Sequence, residues 1–545
     1  MQYSVFSIRY KKRDKKCDAS VFHTEYCIQN TEYSPRALRA RGVTVILVLA
    51  FMGVFALITG SIASYVLEQG KYGRALFARE QALHIAEAGL EYYKWWLGRQ
   101  PSSVLTTGVG LVSPSTYTVN DPEGGTLGSA VITATPSLQC GAVQWIDLAS
   151  RGTSNSSVGF PRTLLARYMK PSVAEYSYLF NNTVWIGSTD SAIGPQHANN
   201  GFRMDGSSNS TISSAVSQVY CDGTAASLGC NGVSPNPGPG LKNGVFGLSL
   251  NQALWQYGIP PIDFPGMAVS FPTLKNYASQ NSSGGIMLGK NSVIQGSRTW
   301  TWNPPTEVGG AETNGYHLVF KSDGTVDIYR VTATNGNNTI YSGNISYGST
   351  GATVWKYTYP VIATQSQIFV ANVLVPSDCS LIFSQAKTWI DGTVKGKVTL
   401  IVADPDTSFV PDIIINDNIS YTTNDGSSGL TAVAEGSIRI GLVVPDTLSV
   451  RGIFVAQTGN YSRDYYYPAT GYLPSAYYPY ATRTRLNLTG TVVSNQRAAL
   501  CYGGTPCVSG FNNRTNAYDR VLASSPPPFT PATSADYKLS LWREQ

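Results

Sequence analysis

Residues 42–66 read Gly-Val-Thr-Val-Ile-Leu-Val-Leu-Ala-Phe-Met-Gly-Val-Phe-Ala-Leu-Ile-Thr-Gly-Ser-Ile-Ala-Ser-Tyr-Val, the only long uncharged apolar run in the 545-residue chain, and Arg36, Arg39 and Arg41 stand just before it. About 20 helical residues cross the hydrocarbon core of a bilayer, and basic flanks favour the cytoplasmic side, so this run predicts a single-pass anchor with a cytoplasmic N-terminus. Everything after Glu68 is then extracytoplasmic. A cleaved secretory signal fits less well. Its apolar core is usually ~7–15 residues, and no small-x-small site closes this run cleanly.

Helix formers continue from the run to Leu97 without a Gly-Pro break, and Leu76, Leu83, Ala86, Leu90, Tyr93 and Leu97 recur at steps of seven, three and four. That spacing places them on one stripe of an otherwise polar helix. Membrane run and stripe together predict one rod over 43–97, with Trp95-Trp96 at its end.

The basic leader ending in Gly42, the uncharged helix opening Val43-Thr44, and Ala82-Leu83-His84-Ile85-Ala86-Glu87-Ala88-Gly89-Leu90-Glu91 resemble the N-terminal region of type IV pilin-like proteins. The Ala-Glu-Ala-Gly-Leu-Glu stretch around Glu87 resembles the PilX-like minor pilins. The resemblance implies a prepilin peptidase that cuts after Gly42 and methylates Val43. It also implies a helix, carrying Thr44, Leu47 and Glu87, that is first a membrane anchor and then filament core among other pilin subunits. One departure is informative: the family usually has Glu at the fifth mature position, where this chain has Leu47. The charge pairing that registers a major pilin against its neighbour is therefore missing, which points to a minor subunit. Large minor subunits, including the tip pseudopilin of type II secretion, share that lack. The expected function is a minor pilin-like subunit of a type IV pilus-related filament, with a structural and adhesive ectodomain. It sits in the cytoplasmic membrane before assembly and at the cell surface afterwards. The alternatives are a pseudopilin of a type II secretion-like system and a plain signal anchor. The leader, residues 1–42, is either a cytoplasmic arm or precedes a later translation start.

Charged residues are 13% of the chain, half the ordinary ~25%. Ser, Thr, Asn, Gly and Tyr take their place, as suits an extracellular β-rich surface. Residues 1–41 hold nine basic residues against four acids, so the leader carries +5 of the net +6 and no basic nucleic-acid-binding face is implied. Two of the eight cysteines, Cys17 and Cys27, precede the membrane run. Beyond it, Cys221 with Cys230 and Cys501 with Cys507 are close enough to staple short loops in an oxidising exterior, whereas Cys140 and Cys379 have no obvious partners.

The predicted fold class is α+β. The long helix is followed by a small antiparallel β-domain over 101–172, whose strands lie around Tyr117, Ala130–Ala134, Val143–Leu148 and Arg162–Tyr168. A large β-rich ectodomain follows over 175–231 and 363–520. Its repeating unit is strand, small-residue kink, strand, as at Gly392, Gly452 and Gly490. Such units fit the coils of a parallel β-solenoid, or β-helix; a β-sandwich is the alternative. Residues 232–362 read as an insertion carrying a hairpin about Asp323-Gly324. Residues 521–545 read as a Pro-rich strap anchored by Trp542.

Chemistry is thinly supplied. Of four histidines, His23, His84, His197 and His317, only His197 is a candidate, and a corner His bonded to its surroundings is the simpler reading. Gly284 to Lys290 has phosphate-loop spacing, but Asn291 replaces the Ser or Thr that holds magnesium and no helix follows. Asp404, Asp406 and Asp412, or Asp417, Asn418, Asn424 and Asp425, offer oxygens without the spacing of a calcium loop. No cofactor is implied, and a surface-tethered β-helix carbohydrate-active enzyme is kept as the competing class. It would require aspartates converging beside Lys or Arg in a groove. Tyr465, Tyr466, Tyr467, Tyr472, Tyr477, Tyr478 and Tyr480 form the most suggestive surface feature. In a Pro-Gly-Ala-Ser loop they suit adhesion to an extracellular protein or glycan; a loop packed on its own tyrosines is the alternative.

Overall fold

The computed structural model describes residues 43–545 except 156–159, 224–227, 268–269, 281–283, 302–313, 336–360, 467–472 and 504–505. The leader, with Gly42, Cys17, Cys27 and His23, lies outside the described residues. The chain divides into two compact units, Met1–Gly73 and Arg74–Gln545.

Helix α1 (Val43–Leu97) supplies every described residue of the first unit and opens the second. In the first unit it is exposed throughout, and from Val43 to Leu67 it carries no charged residue on any side. Two of its hydroxyls are satisfied by the helix itself: Thr59 Oγ1 donates to Phe55 O at 2.7 Å and Ser61 Oγ to Leu57 O at 2.8 Å.

In the second unit, α1 lies against an antiparallel sheet of β1 (Ser115–Asn120), β2 (Thr126–Gln139), β3 (Ala142–Ser154) and β4 (Arg162–Met169). Alternate residues of these strands, among them Ala130, Ile132, Ile146, Leu148, Leu164 and Ala166, face the helix. The helix face that meets them is Ala78, Ala82, Ile85, Ala86, Gly89, Leu90, Tyr93 and Leu97. This rotates the expected stripe: Leu76 is 42% exposed, and alanines take its place. The cause is close approach. A Cβ on Gly152 would lie 2.1 Å from Ala82 O and 2.6 Å from Ala86 N, and one on Gly89 would lie 2.5 Å from Ala130 Cβ. Only small residues fit where the helix backbone rests on the sheet.

A fifth strand, Lys538–Glu544, adds antiparallel to β4, so the C-terminal segment completes the small domain. Trp542 is not its anchor: it is 43% exposed, in a bulge between Ser540 and Arg543. Tyr537 stacked on Tyr168 at 5.0 Å and the Lys538–Glu175 pair at 2.8 Å hold the strap instead.

The remaining body pairs mostly in parallel. One ladder runs, in spatial order, through Ile286–Leu288, Leu381–Ser384, Lys397–Val402, Gly429–Ala434, Thr447–Ala456, Thr482–Ser494, Tyr178–Phe180, Gln196–Ala198, Ile212–Ser214 and Trp255–Tyr257. A second runs through Gly315–Phe320, Thr388–Val394, Ile413–Tyr421, Ile438–Ile440 and Tyr461–Arg463. A third joins the latter parts of Thr388–Val394 and Ile413–Tyr421 to the first parts of Thr447–Ala456 and Thr482–Ser494. It continues through Ser509–Ala517, Asp190–Ile193 and Ser207–Ser208. Thr388–Val394, Thr447–Ala456 and Thr482–Ser494 pass from one ladder to another at Gly392, Gly452 and Gly490, and Ile413–Tyr421 does so at Asn416-Asp417-Asn418. Gly490, at φ +133°, stacks on Gly452, and a Cβ there would fall 2.0 Å from Gly452 O. Ile390, Ile415, Leu400, Leu448, Phe454, Leu488 and Val492 belong to one buried core.

One expectation changes here. Residues 232–362 are not wholly an insertion: the hairpin Gly315–Phe320/Thr325–Val331 is present, but its first strand is also a rung of the second ladder, and Ile286–Leu288 is a rung of the first. Alternation announces a hairpin and is silent about the partner on its other edge. Spatial order also departs from chain order, because Val492 to Ser494 pair with Tyr178 to Phe180.

Cys140 and Cys379, 239 residues apart, are disulfide-bonded and fasten the β2–β3 tip to the parallel body. Gln139 supports the junction, donating to Ser377 O at 2.9 Å and accepting from Ser380 N at 2.9 Å.

Gly152→Val should lower stability by about 1–3 kcal/mol or more, since both atoms it meets are helix backbone; thermal unfolding of the detergent-solubilised chain measures this. Replacing Cys140 and Cys379 by Ser should cost about 2–5 kcal/mol in the same assay, with α1 still seated on its sheet by hydrogen exchange.

Candidate membrane and filament helix

Val43, Thr44 and Leu47 lie in the first turns of α1 and are exposed. The apolar surface continues to Phe77, and within it the first charged side chains are Glu68 and Lys71, paired at 3.0 Å. A helix apolar all round is stable only where something apolar surrounds it, in lipid or among like helices. It is the one helix among the described residues long and apolar enough to cross a membrane. Glu87 lies farther along, beside the seated face, and receives His84 Nδ1 at 3.1 Å. The Ala-Glu-Ala-Gly stretch thus does two jobs: its small residues make the seat on the sheet, while Glu87 turns away from it. Small-residue spacing at Ala82, Ala86 and Gly89 was the signal for that seat, and a search for large apolar residues misses it.

The described residues of the tyrosine loop fit the second of its two readings, a loop packed on its own tyrosines. Tyr466 is 3% exposed and packs with Leu442, Leu473 and Ala481, with Tyr477, Tyr478 and Tyr480 against that cluster. The buried guanidinium of Arg463 organises them. It donates to Ala481 O, Leu442 O and Tyr480 O at 2.6–3.1 Å and lies 5.3 Å from the Tyr466 ring. Burial lowers its pKa to about 10. Tyr465 meets Tyr502 edge-on at 5.3 Å. None of the described tyrosines in the group is an exposed contact; Tyr467 and Tyr472 lie outside the described residues. An amphipathic ring serves a wall as well as a binding face, so composition did not separate the two.

Cys221–Cys230 and Cys501–Cys507 are disulfide-bonded. His197 is buried, with Nδ1 2.9 Å from Ser213 Oγ and Nε2 3.0 Å from Asn199 Oδ1, so both ring nitrogens are occupied inside the first ladder. His317 is held likewise between Gln367 and Asp391, at 2.6 and 2.8 Å. The phosphate-loop spacing is a strand: Ile286–Leu288 is a ladder rung, and Lys290 pairs with Asp404 at 2.9 Å. Asp404 and Asp406 do converge beside lysines, but both Asp404 oxygens and Asp406 Oδ2 are already engaged. Asp404 is fully buried and also receives Gln385 and Thr407, while Asp406 receives Lys275 and Gln385. Asp412 binds Arg439 at 2.9 Å instead. Asp425 caps Ser427 and Asn424 meets Arg451, so the two proposed oxygen sets do not gather. Among the described residues no group of three or more His, Cys, Asp or Glu is placed to hold a metal ion.

No protein-family model matches the chain, and no curated protein matches it. Among solved structures it is similar to the competence-associated pilin ComZ from Thermus thermophilus, with 14% identity over 86% of this chain and 98% of that one, at a TM-score of 0.27. A likeness at that score carries no argument about fold or role.

Burial pushes the His197 pKa down, against a smaller upward pull from Asn199. The unfolded chain then binds the proton more readily, so this contribution to stability is whole above about pH 6.5 and is lost as pH falls through the folded-state value. The difference in melting temperature between wild type and His197→Asn should shrink as pH is lowered from about 7 to 5.

Proposed function

We propose that this chain is a minor pilin-like subunit of a type IV pilus-related filament, similar to the PilX-like minor pilins. It is anchored in the cytoplasmic membrane before assembly and displayed at the cell surface afterwards. The observation that carries the proposal is the division of labour along α1, whose first part is apolar and uncovered while its second part is seated on an antiparallel sheet. A rod uncharged from Val43 to Leu67 can exchange lipid for neighbouring helices without uncovering a charge over that stretch, and its sheet-bound half carries the ectodomain with it. Leu47 in place of an acid supports a rare subunit. A prepilin peptidase acting between Gly42 and Val43, and other pilin subunits packed along the helix, are the partners this reading requires.

In the same reading the ectodomain is a β-solenoid; three parallel ladders sharing one buried core support it. Its role is structural and adhesive, toward an extracellular protein or glycan, and not catalytic: the conspicuous His and Asp side chains are engaged within the fold. A pseudopilin of a secretion system would use the same helix.

Intact mass after co-expression with a prepilin peptidase tests the proposal. The wild type should lose residues 1–42 and gain a methyl group on Val43, and Gly42→Leu should abolish both. An uncleaved chain in both cases would make α1 an ordinary signal anchor.

A further inference from the structure

The two ends of the parallel body are finished differently. At one end, Ile286–Leu288 is covered by the antiparallel strands Ser292–Gln295 and Arg298–Thr301, and Gly315–Phe320 by Thr325–Val331 and Gln367–Leu374. At the other, Trp255–Tyr257 pairs with Ile212–Ser214 and Val245–Phe246 with Phe202–Met204; among the described residues neither strand pairs on its outer edge. An open strand edge is a template for another extended chain, and folded proteins usually guard it with charges or a cover. This one has no such charge, for residues 243–262 contain no Asp, Glu, Lys, Arg or His. Leu248, Leu250, Leu254 and Tyr257 are exposed along the same coil, Leu250 to 97%. The coil is nevertheless held in place. Asn251 Nδ2 donates to Ser208 O at 2.7 Å, Leu248 N to Asp205 Oδ1 at 3.1 Å, and Gly244 N to Ser217 O at 2.8 Å.

We propose that this end is a twofold interface between two copies of the chain, with the Trp255–Tyr257 strands antiparallel, edge to edge, and Leu250, Leu254 and Tyr257 of each copy covering the join. Two arguments select a second copy. Antiparallel pairing about a twofold axis offers each edge the donors and acceptors of an identical edge, so one contact satisfies both. An uncharged segment meets no like charge when brought against itself. Gln256, exposed in the middle of the strand, then lies near the axis. The inference does not depend on the filament reading, since it uses only the ectodomain's own coil.

The test is the mass of the full chain in detergent micelles, by light scattering with correction for bound detergent, across a dilution series. The wild type should be a dimer that dissociates on dilution. Leu250→Lys with Gln256→Lys should be monomeric throughout, at an unchanged melting temperature. Gln256→Cys should oxidise to a covalent dimer whose peptide map joins residue 256 to itself. Should the lysine variant melt early, the cysteine cross-link decides alone. A monomeric wild type, an oligomer that survives the lysine substitutions in a folded protein, or a Gln256→Cys variant without the 256–256 link would each overturn the proposal.

Discussion

Backbone pairing along both edges of one strand, Thr482–Ser494, holds the parallel body together. On one side it lies beside Thr447–Ala456 for ten consecutive residue pairs. On the other its first part pairs with Ser509–Ala517 and its last part with Tyr178–Phe180. Two stretches of chain far apart in sequence therefore become one stack. Side chains reinforce the joint: Thr491 Oγ1 donates to Tyr176 O at 2.7 Å, Asn181 Nδ2 to Asn495 Oδ1 at 2.7 Å, and Asn516 Nδ2 to Ser177 O at 2.7 Å. Each closes a buried polar group that an apolar contact would leave unpaired.

The small sheet depends on a different economy of space. Glycine on the strand and alanine on the helix let backbones approach until only dispersion between them matters. The β2–β3 tip then reaches the parallel body through a covalent bond, while the C-terminal strand returns to β4 after crossing that body, where the hydroxyls of Thr431 and Thr530 hydrogen-bond at 2.6 Å. Helix, sheet and parallel stack are thereby tied into one unit from both ends of the chain.

Much of this was legible in sequence, for physical reasons particular to each part. An uncharged run has few environments available, so α1 announces itself. Gly392 and Gly490 sit where no side chain fits, so strand–glycine–strand units stand out. The stack order does not, because nothing in Tyr178 to Phe180 names Val492 as a neighbour. Leu76 and Ala78 were exchanged because apolar size predicts burial only where there is room for it. Cys140 and Cys379 each lacked a local partner, and only the folded chain brings them together. The tyrosine loop was ambiguous in principle: a buried Arg463 at its centre, not the tyrosines themselves, decides that it is a wall.

The entry of the chain into the middle of its own stack also sets a timetable. Residues 176–198 are made long before the strand they lean on, with 315 residues separating Tyr176 from Thr491. At synthesis rates of about 5–20 residues per second, that interval is roughly 15–60 s. For that time the early coils have one face open to solvent, and the stack closes only when its last third has arrived. A protein arranged this way is assembled from both sides toward a seam, which closes only after residues 482–494 have been made.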